Sequence, residues 1–243
     1  QGNPYYRNFA KGLFHRTQVR GQAWILRTLA DAAYITPDND SFKQLFATFL
    51  SNNLDWYNNT YTNNASADNR LGFITEYGIE YNNQTGMAPW MDDFFTSAVG
   101  HAAELGYAKA QPLLAWKIKF PISRILDPDF CWILGASYSL PVRNDATSPI
   151  YTTIAQVYRA AKPANFTALT CAGSEMAASL GLRAGEMTGY ASSTVGMPSD
   201  MQPALAYASD WGGANGVAAW KIFDGRSVKP NYSTGPQFAI TPR

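Results

Sequence analysis

Residues 90–120 constrain the fold more than any other stretch of the chain, because two helical patterns meet there at a glycine. In the first half, apolar side chains recur every three or four residues, which is the spacing of one buried helix face. Pro89 suits the first turn of that helix, and Gly106 suits its C-terminal end. The second half ends in AWKIKF, immediately before Pro121. The stretch therefore predicts a helical hairpin, which is two antiparallel helices joined by a tight turn.

A short repeat indicates that this hairpin has a counterpart later in the chain. The tetrapeptide AWKI occurs at 115–118 and again at 219–222. Apolar residues also recur at helical spacing over four further segments, which are 17–34, 41–56, about 200–210 and 214–224. The sequence therefore predicts a mainly α protein, built as an array of antiparallel helical hairpins with long loops rich in Asn and Gly.

Two of these helices carry the sequence pattern of a capping box at their start. In this pattern a Ser or Thr is followed three residues later by Glu or Gln, and each side chain bonds to the other residue's backbone. Ser41 with Gln44 fits the pattern, and so does Ser199 with Gln202. We therefore expect Ser41 and Ser199 to be the residues that cap these two helices.

The overall composition favours one domain spanning 1–243, either as a mature product or as a fragment of a longer chain. The charge is balanced, with 19 basic and 18 acidic residues, which gives no general attraction to nucleic acid. No apolar run approaches the length of about 20 residues that a membrane span needs. Aromatic residues are abundant at 14% while charged residues are only 15%, a balance typical of exported proteins that handle sugars.

Several enzyme classes are excluded by the absence of their motifs. The chain contains no glycine-rich phosphate loop, no H-E-x-x-H, no C-x-x-C and no G-x-S-x-G. We therefore predict no cofactor and no metal. The two cysteines, Cys131 and Cys171, either form one disulfide that closes a loop of about 40 residues or remain as two buried thiols.

The first predicted helix carries a second face that differs from its apolar one. Arg20, Trp24, Arg27 and Asp31 follow one another at spacings of four, three and four residues, so they share one side of the helix. This face is either one wall of a binding site or a packing face with an Arg27–Asp31 ion pair on the surface. Both interpretations remain open from the sequence.

The segment 57–88 loses the helical pattern and is too long for a simple connection. Within it, LGFITEYGIEY has the pattern of a small β-hairpin that turns at Tyr77. Glu76, Glu80 and Tyr81 lie in the same stretch, so carboxylates and phenols alternate there. This stretch faces a sugar if it borders a cleft, and otherwise it is a solvated flap.

Carboxylates are the main candidates for catalysis. Asp92 and Asp93 lie in the first turn of a helix, where negative charge complements the helix dipole. Their alternative role is acid or base chemistry, because glycoside cleavage needs two carboxyl groups across the scissile bond. In that role, one of these two residues would act together with Glu76 or Glu80.

A polysaccharide lyase would need different groups, namely a Tyr or His base and a cation to neutralise the uronate. Tyr81 or His15 would be the base, and Arg20 would be the cation. The candidate catalytic residues are therefore Asp92, Asp93, Glu76, Glu80, Tyr81 and His15. The candidate residues for binding substrate are Trp24, Arg20, Trp90, Trp211 and Tyr77.

The stretches RGQAWILRTLADAA, APWMDDFFTSAVGHAAELG and GVAAWKIFDGR resemble, in style, the α/α-toroid proteins, which include six-hairpin glycosidases and polysaccharide lyases. The resemblance covers about residues 12–224 and carries over no catalytic residue. The chain has room for about four hairpins, so it implies a partial toroid. The leading hypothesis is an exported protein that binds a carbohydrate polymer and that also cleaves it if the carboxylates are catalytic. The alternative is a non-catalytic module that contacts other chains of a surface or extracellular assembly.

Overall fold

The computed structural model describes residues 7, 11–64 and 69–243, and this part of the chain is mainly helical, as predicted. Two short strands, β1 (Gly86–Met87) and β2 (Leu140–Pro141), pair antiparallel. None of the helices in the described ranges has the length and apolar character needed to cross a lipid bilayer. The helices are α1 (Val19–Ile35), α2 (Ser41–Tyr57), α3 (Pro89–Glu104), α4 (Ala110–Lys117), α5 (Lys119–Leu126), α6 (Ile154–Ala161), α7 (Ala164–Thr167), α8 (Ser174–Ser179), α9 (Met197–Trp211) and α10 (Gly213–Asp224).

Helices α1 and α3 lie side by side and run in the same direction. Near their N-terminal ends, the Arg20 guanidinium lies 5.6 Å from the centre of the Trp90 ring. Near their C-terminal ends, Nε2 of His101 lies 2.6 Å from a carboxylate oxygen of Asp31. Since the two contacts join residues in the same order along both helices, the pair is parallel.

Helix α9 lies on the other side of α3, again in the same direction. Asp93 and Asp200 are neighbours near the helix starts, and the Tyr207 hydroxyl donates to Glu104 at 2.9 Å near the other end. Between these contacts, α3 has Gly100 against the Tyr207 ring. A Cβ on Gly100 would lie only 2.4 Å from that ring, so a glycine is required for the two helices to approach this closely.

Each of these three parallel helices is followed by a helix that packs on it. The end of α2 meets the beginning of α1, where the Tyr57 hydroxyl donates to Gln22 at 2.5 Å. The end of α4 meets the beginning of α3, where the Lys117 ammonium bonds to Asp92. Helix α10 packs along α9, and α5 packs against both. The core therefore lies between α1, α3 and α9 and the helices that return along them.

Several predicted boundaries need correction. The second helix of the predicted hairpin ends at Lys117, before Pro121. Pro121 instead lies in the first turn of a new helix, α5, where a missing N–H costs little. Asp40, not Ser41, caps α2, since its side chain accepts from the Phe42 N–H at 2.8 Å. Helix α9 begins at Met197, so Ser199 lies inside it and caps nothing.

The long segment between α2 and α3 is held in place by packing. Tyr61, Phe73 and Ile74 are buried, and 58–62 forms a π-helical turn that continues α2. The predicted β-hairpin at Tyr77 is absent from 69–81, where the described backbone forms turns. Residues 65–68 of this predicted loop lie outside the described part of the chain.

Cys131 and Cys171 form a disulfide, which decides between the two alternatives that the sequence left open. The bond joins the chain after α5 to the chain between α7 and α8. The disulfide therefore stabilises the segment between α5 and α9. The helices of this segment are short, so they offer less packing than the long helices do.

The C-terminal segment 227–243 crosses the face formed by α3 and α9. The Tyr232 hydroxyl donates to the Gln202 side chain at 3.1 Å, and the Phe238 ring packs edge-on to Phe94 with centroids 6.2 Å apart. This segment explains why α9 is buried on nearly all sides from its second residue to Ala208.

Candidate functional site

Exposed and half-buried aromatic side chains lie beside arginines near the starts of α1 and α3. We call this group the aromatic surface. Its members come from α1, from the first turn of α3 and from the loops around residues 77–81 and 138. They are Trp24, Tyr77, Tyr81, Trp90 and Tyr138, with Arg16, Arg20 and Arg27 beside them.

Helix α1 supplies the first part of this surface through its periodicity. Its apolar stripe packs into the core, which turns Arg20, Trp24 and Arg27 outward together. The Trp24 ring rests edge-on against Phe94 at 4.8 Å, yet 54% of Trp24 remains exposed. The Arg27 guanidinium lies 5.8 Å from the Trp24 ring. One wall of the surface is therefore a tryptophan bordered by two cations.

The first turn of α3 supplies Trp90, which lies at the centre of the surface. Pro89 begins the helix, and Trp90 then faces Arg20 on α1 and Tyr138, whose ring centroid is 6.2 Å away. The indole Nε1 of Trp90 is buried and has no hydrogen-bond partner within the described residues. A buried donor without an acceptor is costly, so the Trp90 side chain is held here by packing and not by a hydrogen bond of its N–H.

Tyr81 and Tyr138 complete the surface on its far side. Their rings meet edge-to-face at 5.6 Å, and 54% of Tyr138 is exposed. Burial, together with hydrogen bonding and charge from Tyr138, raises the pKa of Tyr81 to about 12. Tyr81 is therefore a neutral phenol at neutral pH, which suits a hydrogen-bond donor better than a catalytic base.

Glu76 and Tyr77 lie at the edge of the surface nearest the N-terminal end of α1. Glu76 accepts from Arg7 at 2.8 Å and from Arg16 at 2.7 Å. Arg16 also lies 5.5 Å from the Tyr77 ring. The Glu76 carboxylate is thus shared between two guanidinium groups, which hold the loop in position.

Asp92 and Asp93 are buried, although they follow Trp90 by only two and three residues. Both side chains are at most 1% exposed, and each is paired with a cation, Lys117 for Asp92 and Arg124 for Asp93. Burial lowers the pKa of Lys117 and raises that of Asp93 to about 6. In this position the two carboxylates lie in ion pairs at the junction of α3, α4 and α5, where neither is accessible from the aromatic surface.

Asp200 is a titratable group that our sequence analysis did not single out. It lies in the first turn of α9, is 9% exposed, and has Asp93 as its charged neighbour. Burial first, and the Asp93 charge second, raise its pKa to about 8. The sequence signal of Asp200 was the same as that of Asp92, namely an acidic residue in the first turn of a helix that has proline among its first two residues.

The remaining predicted residues are dispersed. His15 is half-buried before the start of α1, and Glu80 is exposed beside Tyr81. Trp211 is 43% exposed at the C-terminal end of α9, whereas the aromatic surface lies at the N-terminal ends of α1 and α3, which run parallel to α9. The structure thus brings Trp24, Arg20, Trp90, Tyr77 and Tyr81 together, adds Tyr138 to them, and leaves Trp211 apart.

The chain matches no protein-family model, no curated protein and no solved structure. Its function has to be inferred from the geometry described above.

Proposed function

We propose that this protein binds a carbohydrate polymer on the aromatic surface. The observation that carries the proposal is a group of neighbouring rings beside arginines, of which Trp24, Tyr138 and Tyr77 are exposed and Trp90 and Tyr81 are half-buried. Contiguous exposed apolar groups on a folded protein usually mark a binding site. The C–H face of a sugar ring packs on such side chains, and arginine and indole N–H groups donate to its oxygens.

The spacing of the arginines supports a polymer more than a small ligand. Arg20 and Arg27 are seven residues apart on α1, which corresponds to about 10 Å along the helix axis. That distance is of the order of the length of a disaccharide, so the two guanidinium groups would contact different sugar units. Neither arginine has a salt bridge to a described residue, which leaves their donors free for hydroxyl or carboxylate oxygens of the polymer.

Binding is better supported than cleavage. Hydrolysis of a glycosidic bond needs two carboxyl groups that flank the bond, and Asp92 and Asp93 are buried in ion pairs. Glu76 is held by Arg7 and Arg16. A cleaving activity would have to draw on Glu80, Tyr81 or His15, so we propose binding as the function, and cleavage is the less supported alternative.

We also propose that the helices form three hairpins of a partial α/α-toroid, α1 with α2, α3 with α4 and α5, and α9 with α10. The parallel course of α1, α3 and α9 supports this arrangement, since it places three similar pairs in succession. Export is proposed as well, because a structural disulfide is typical of oxidising compartments such as the periplasm or the extracellular space.

Affinity measurements on a panel of polysaccharides, acidic and neutral, test the proposed function. Trp90→Ala should weaken binding by about tenfold or more, corresponding to about 1.4 kcal/mol. Trp211→Ala is the matched control, because Trp211 is also partly exposed but lies at the other end of α9. Failure of the wild type to bind every polysaccharide in the panel, or equal losses in both variants, would overturn the proposal.

A second candidate function, contact with other chains of an assembly, has its own observation. Apolar side chains are exposed together where α1 ends and α2 begins, namely Tyr34 (57%), Ile35 (74%), Phe42 (56%) and Leu45 (40%). Under this alternative, sedimentation analysis should show association that Ile35→Asp or Phe42→Asp abolishes. Trp24→Ala and Trp90→Ala should then have no effect on that association.

A further inference from the structure

We infer that a pocket beside the aromatic surface is a second binding site, which holds one sugar ring at an end or a branch of the polymer. The pocket has a volume of about 330 Å³ and lies between the loop after Tyr81, the chain before β2 and the end of α6. This volume falls at the lower end of the range for small-molecule sites, roughly 300–1,000 Å³. The inference rests on the proposed function, because it extends the same polymer by one ring.

The lining combines apolar and polar groups in a way that suits a sugar ring. Leu140 and its neighbour Pro141 contribute apolar walls, and four residues contribute polar ones, Asn82, Ser137, Ser139 and Lys162. A pyranose has one face of C–H groups and an edge of hydroxyls. The exposed lining of this pocket is more polar than apolar, so it matches the hydroxyl edge of a sugar better than its C–H face.

Most of these polar groups are free to bind a ligand. The Lys162 ammonium lies 4.9 Å from the Phe166 ring and forms no salt bridge with a described residue. The side-chain amide of Asn82 and the Ser139 hydroxyl also have no hydrogen-bond partner in the described part of the chain. A lysine offers three donors, and an amide or hydroxyl offers both a donor and an acceptor, which together match vicinal sugar hydroxyls.

The wall that carries Asn82 has an unusual backbone. Asn82, Asn83 and Gln84 have φ values of 52°, 56° and 64°, so three successive residues other than glycine adopt the left-handed conformation. Each such residue is energetically unfavourable and persists only where its surroundings hold it. Here Arg143 donates to the Gln84 carbonyl at 2.6 Å, and the backbones of Tyr81 and Gly86 are bonded to each other. The turn fixes Asn82 at the pocket.

The pocket and the aromatic surface share their boundary. Ser137 and Ser139 flank Tyr138, and Asn82 follows Tyr81, so the Tyr81–Tyr138 ring pair belongs to segments that line the pocket. In the proposed arrangement, a polymer on Trp90 continues past Tyr138, whose two chain neighbours line the pocket. The pocket therefore admits a terminal or branching ring and gives the surface a preference for such polymers.

Titration of the full-length, ¹⁵N-labelled protein with single monosaccharides tests the pocket independently of polymer binding. Glucose, galactose, mannose, N-acetylglucosamine and glucuronate are the probes, and sodium acetate controls for general anion effects. At least one sugar should produce saturable amide shifts at Asn82, Ser139 and Lys162 with a dissociation constant in the millimolar range. Lys162→Met should weaken this binding by about tenfold or more, whereas Trp24→Ala should leave it unchanged. Absence of saturable shifts for every sugar, or equal shifts in Lys162→Met, would overturn the inference.

Polymer affinity then separates the two proposals. If Trp90→Ala weakens polymer binding but no monosaccharide binds in the pocket, the proposed function stands and the pocket is rejected. If a monosaccharide binds in the pocket but no polymer binds the wild type, the pocket stands and the aromatic surface loses its proposed role.

Discussion

Trp90 and Asp92 stand two residues apart in the first turn of α3, and the structure places them in opposite surroundings. The tryptophan lies partly in solvent on the aromatic surface, while the aspartate is completely buried beside Lys117. Hydrophobic and charged residues have thus exchanged their usual locations within one helical turn. This contrast distinguishes side chains whose position stabilises the fold from side chains whose position does not.

The buried charges have a structural explanation, since Asp92 and Asp93 each meet a cation and Asp92 also accepts from the Ile74 N–H at 2.9 Å. The exposed rings contribute less to folding, because Trp24 and Tyr138 leave more than half of their area in water. Residues whose position adds little to stability are the better candidates for function. The comparison therefore favours the aromatic surface over the carboxylates as the site.

The largest expected effect comes from breaking a buried pair. Lys117→Met leaves the Asp92 carboxylate buried without its cation and should reduce the free energy of unfolding by about 3–5 kcal/mol, measured in urea. Lys221→Met is the matched control, because Lys221 occupies the same place in the second AWKI tetrapeptide but is exposed. Its effect should stay within about 0.5 kcal/mol. Equal effects in the two variants would contradict the structural role of the pair.

Reduction of the disulfide should produce the next largest effect. Because the disulfide closes a loop of 40 residues, its reduction should lower the free energy of unfolding by up to about 4 kcal/mol. The loss is measured as a lower melting temperature. The bond lies outside both regions compared above. At a temperature where the reduced protein remains folded, Trp24→Ala should therefore weaken polymer binding as much in the reduced protein as in the oxidised one. A melting curve that reductant leaves unchanged would contradict the bridge.

The carboxyl groups near the start of α9 predict a dependence of stability on pH. The folded-state pKa values of Asp93 (about 6) and Asp200 (about 8) are raised above those of the unfolded chain. The folded protein therefore binds more protons, and the free energy of unfolding should fall as pH rises from about 4 to about 8. Asp200→Asn should flatten this decline by at least about 1 kcal/mol, measured by urea unfolding across that range. A rise in wild-type stability over the same interval would reverse the expected sign.

The smallest effect should be that of Trp24→Ala on folding. Trp24 is more than half exposed, so the variant should lose about 1 kcal/mol or less of unfolding free energy, while its polymer affinity falls. Phe95→Ala is the contrasting variant, because Phe95 is fully buried against Tyr57 and should lose about 3–5 kcal/mol. Similar losses in both would mean that Trp24 is a packing residue.

Local patterns of the sequence were enough to predict the long helices and one face of the site. Apolar periodicity located α1, α2, α3, α9 and α10 within a few residues, because their buried stripes are continuous. The i, i+4, i+7 spacing likewise placed Arg20, Trp24 and Arg27 on one side of α1. Both results depend only on residues that are close in sequence.

Contacts between distant segments could not be predicted in this way. Asp92 and Asp93 looked like residues of a solvated helix start, but their cations come 25 and 31 positions later and meet them only after α4 and α5 fold back on α3. Tyr138 lies in an apolar run with no period that marks it as exposed. Ser199 and Gln202 have the pattern of a cap, yet they bond to the C-terminal segment through Tyr232.

The glycine contact between α3 and α9 has a consequence for how the sequence can change. Gly100 meets Tyr207, and on the opposite side of α9 a Cβ at Gly216 of α10 would collide with the Ala208 carbonyl. A glycine inside a helix costs about 1 kcal/mol relative to alanine, so both positions give up local stability to bring neighbours close. The spacing of three helices is then set at two adjacent residues of α9. A side chain at either glycine would therefore push a neighbouring helix away from α9 and change the positions of the loops that these helices carry.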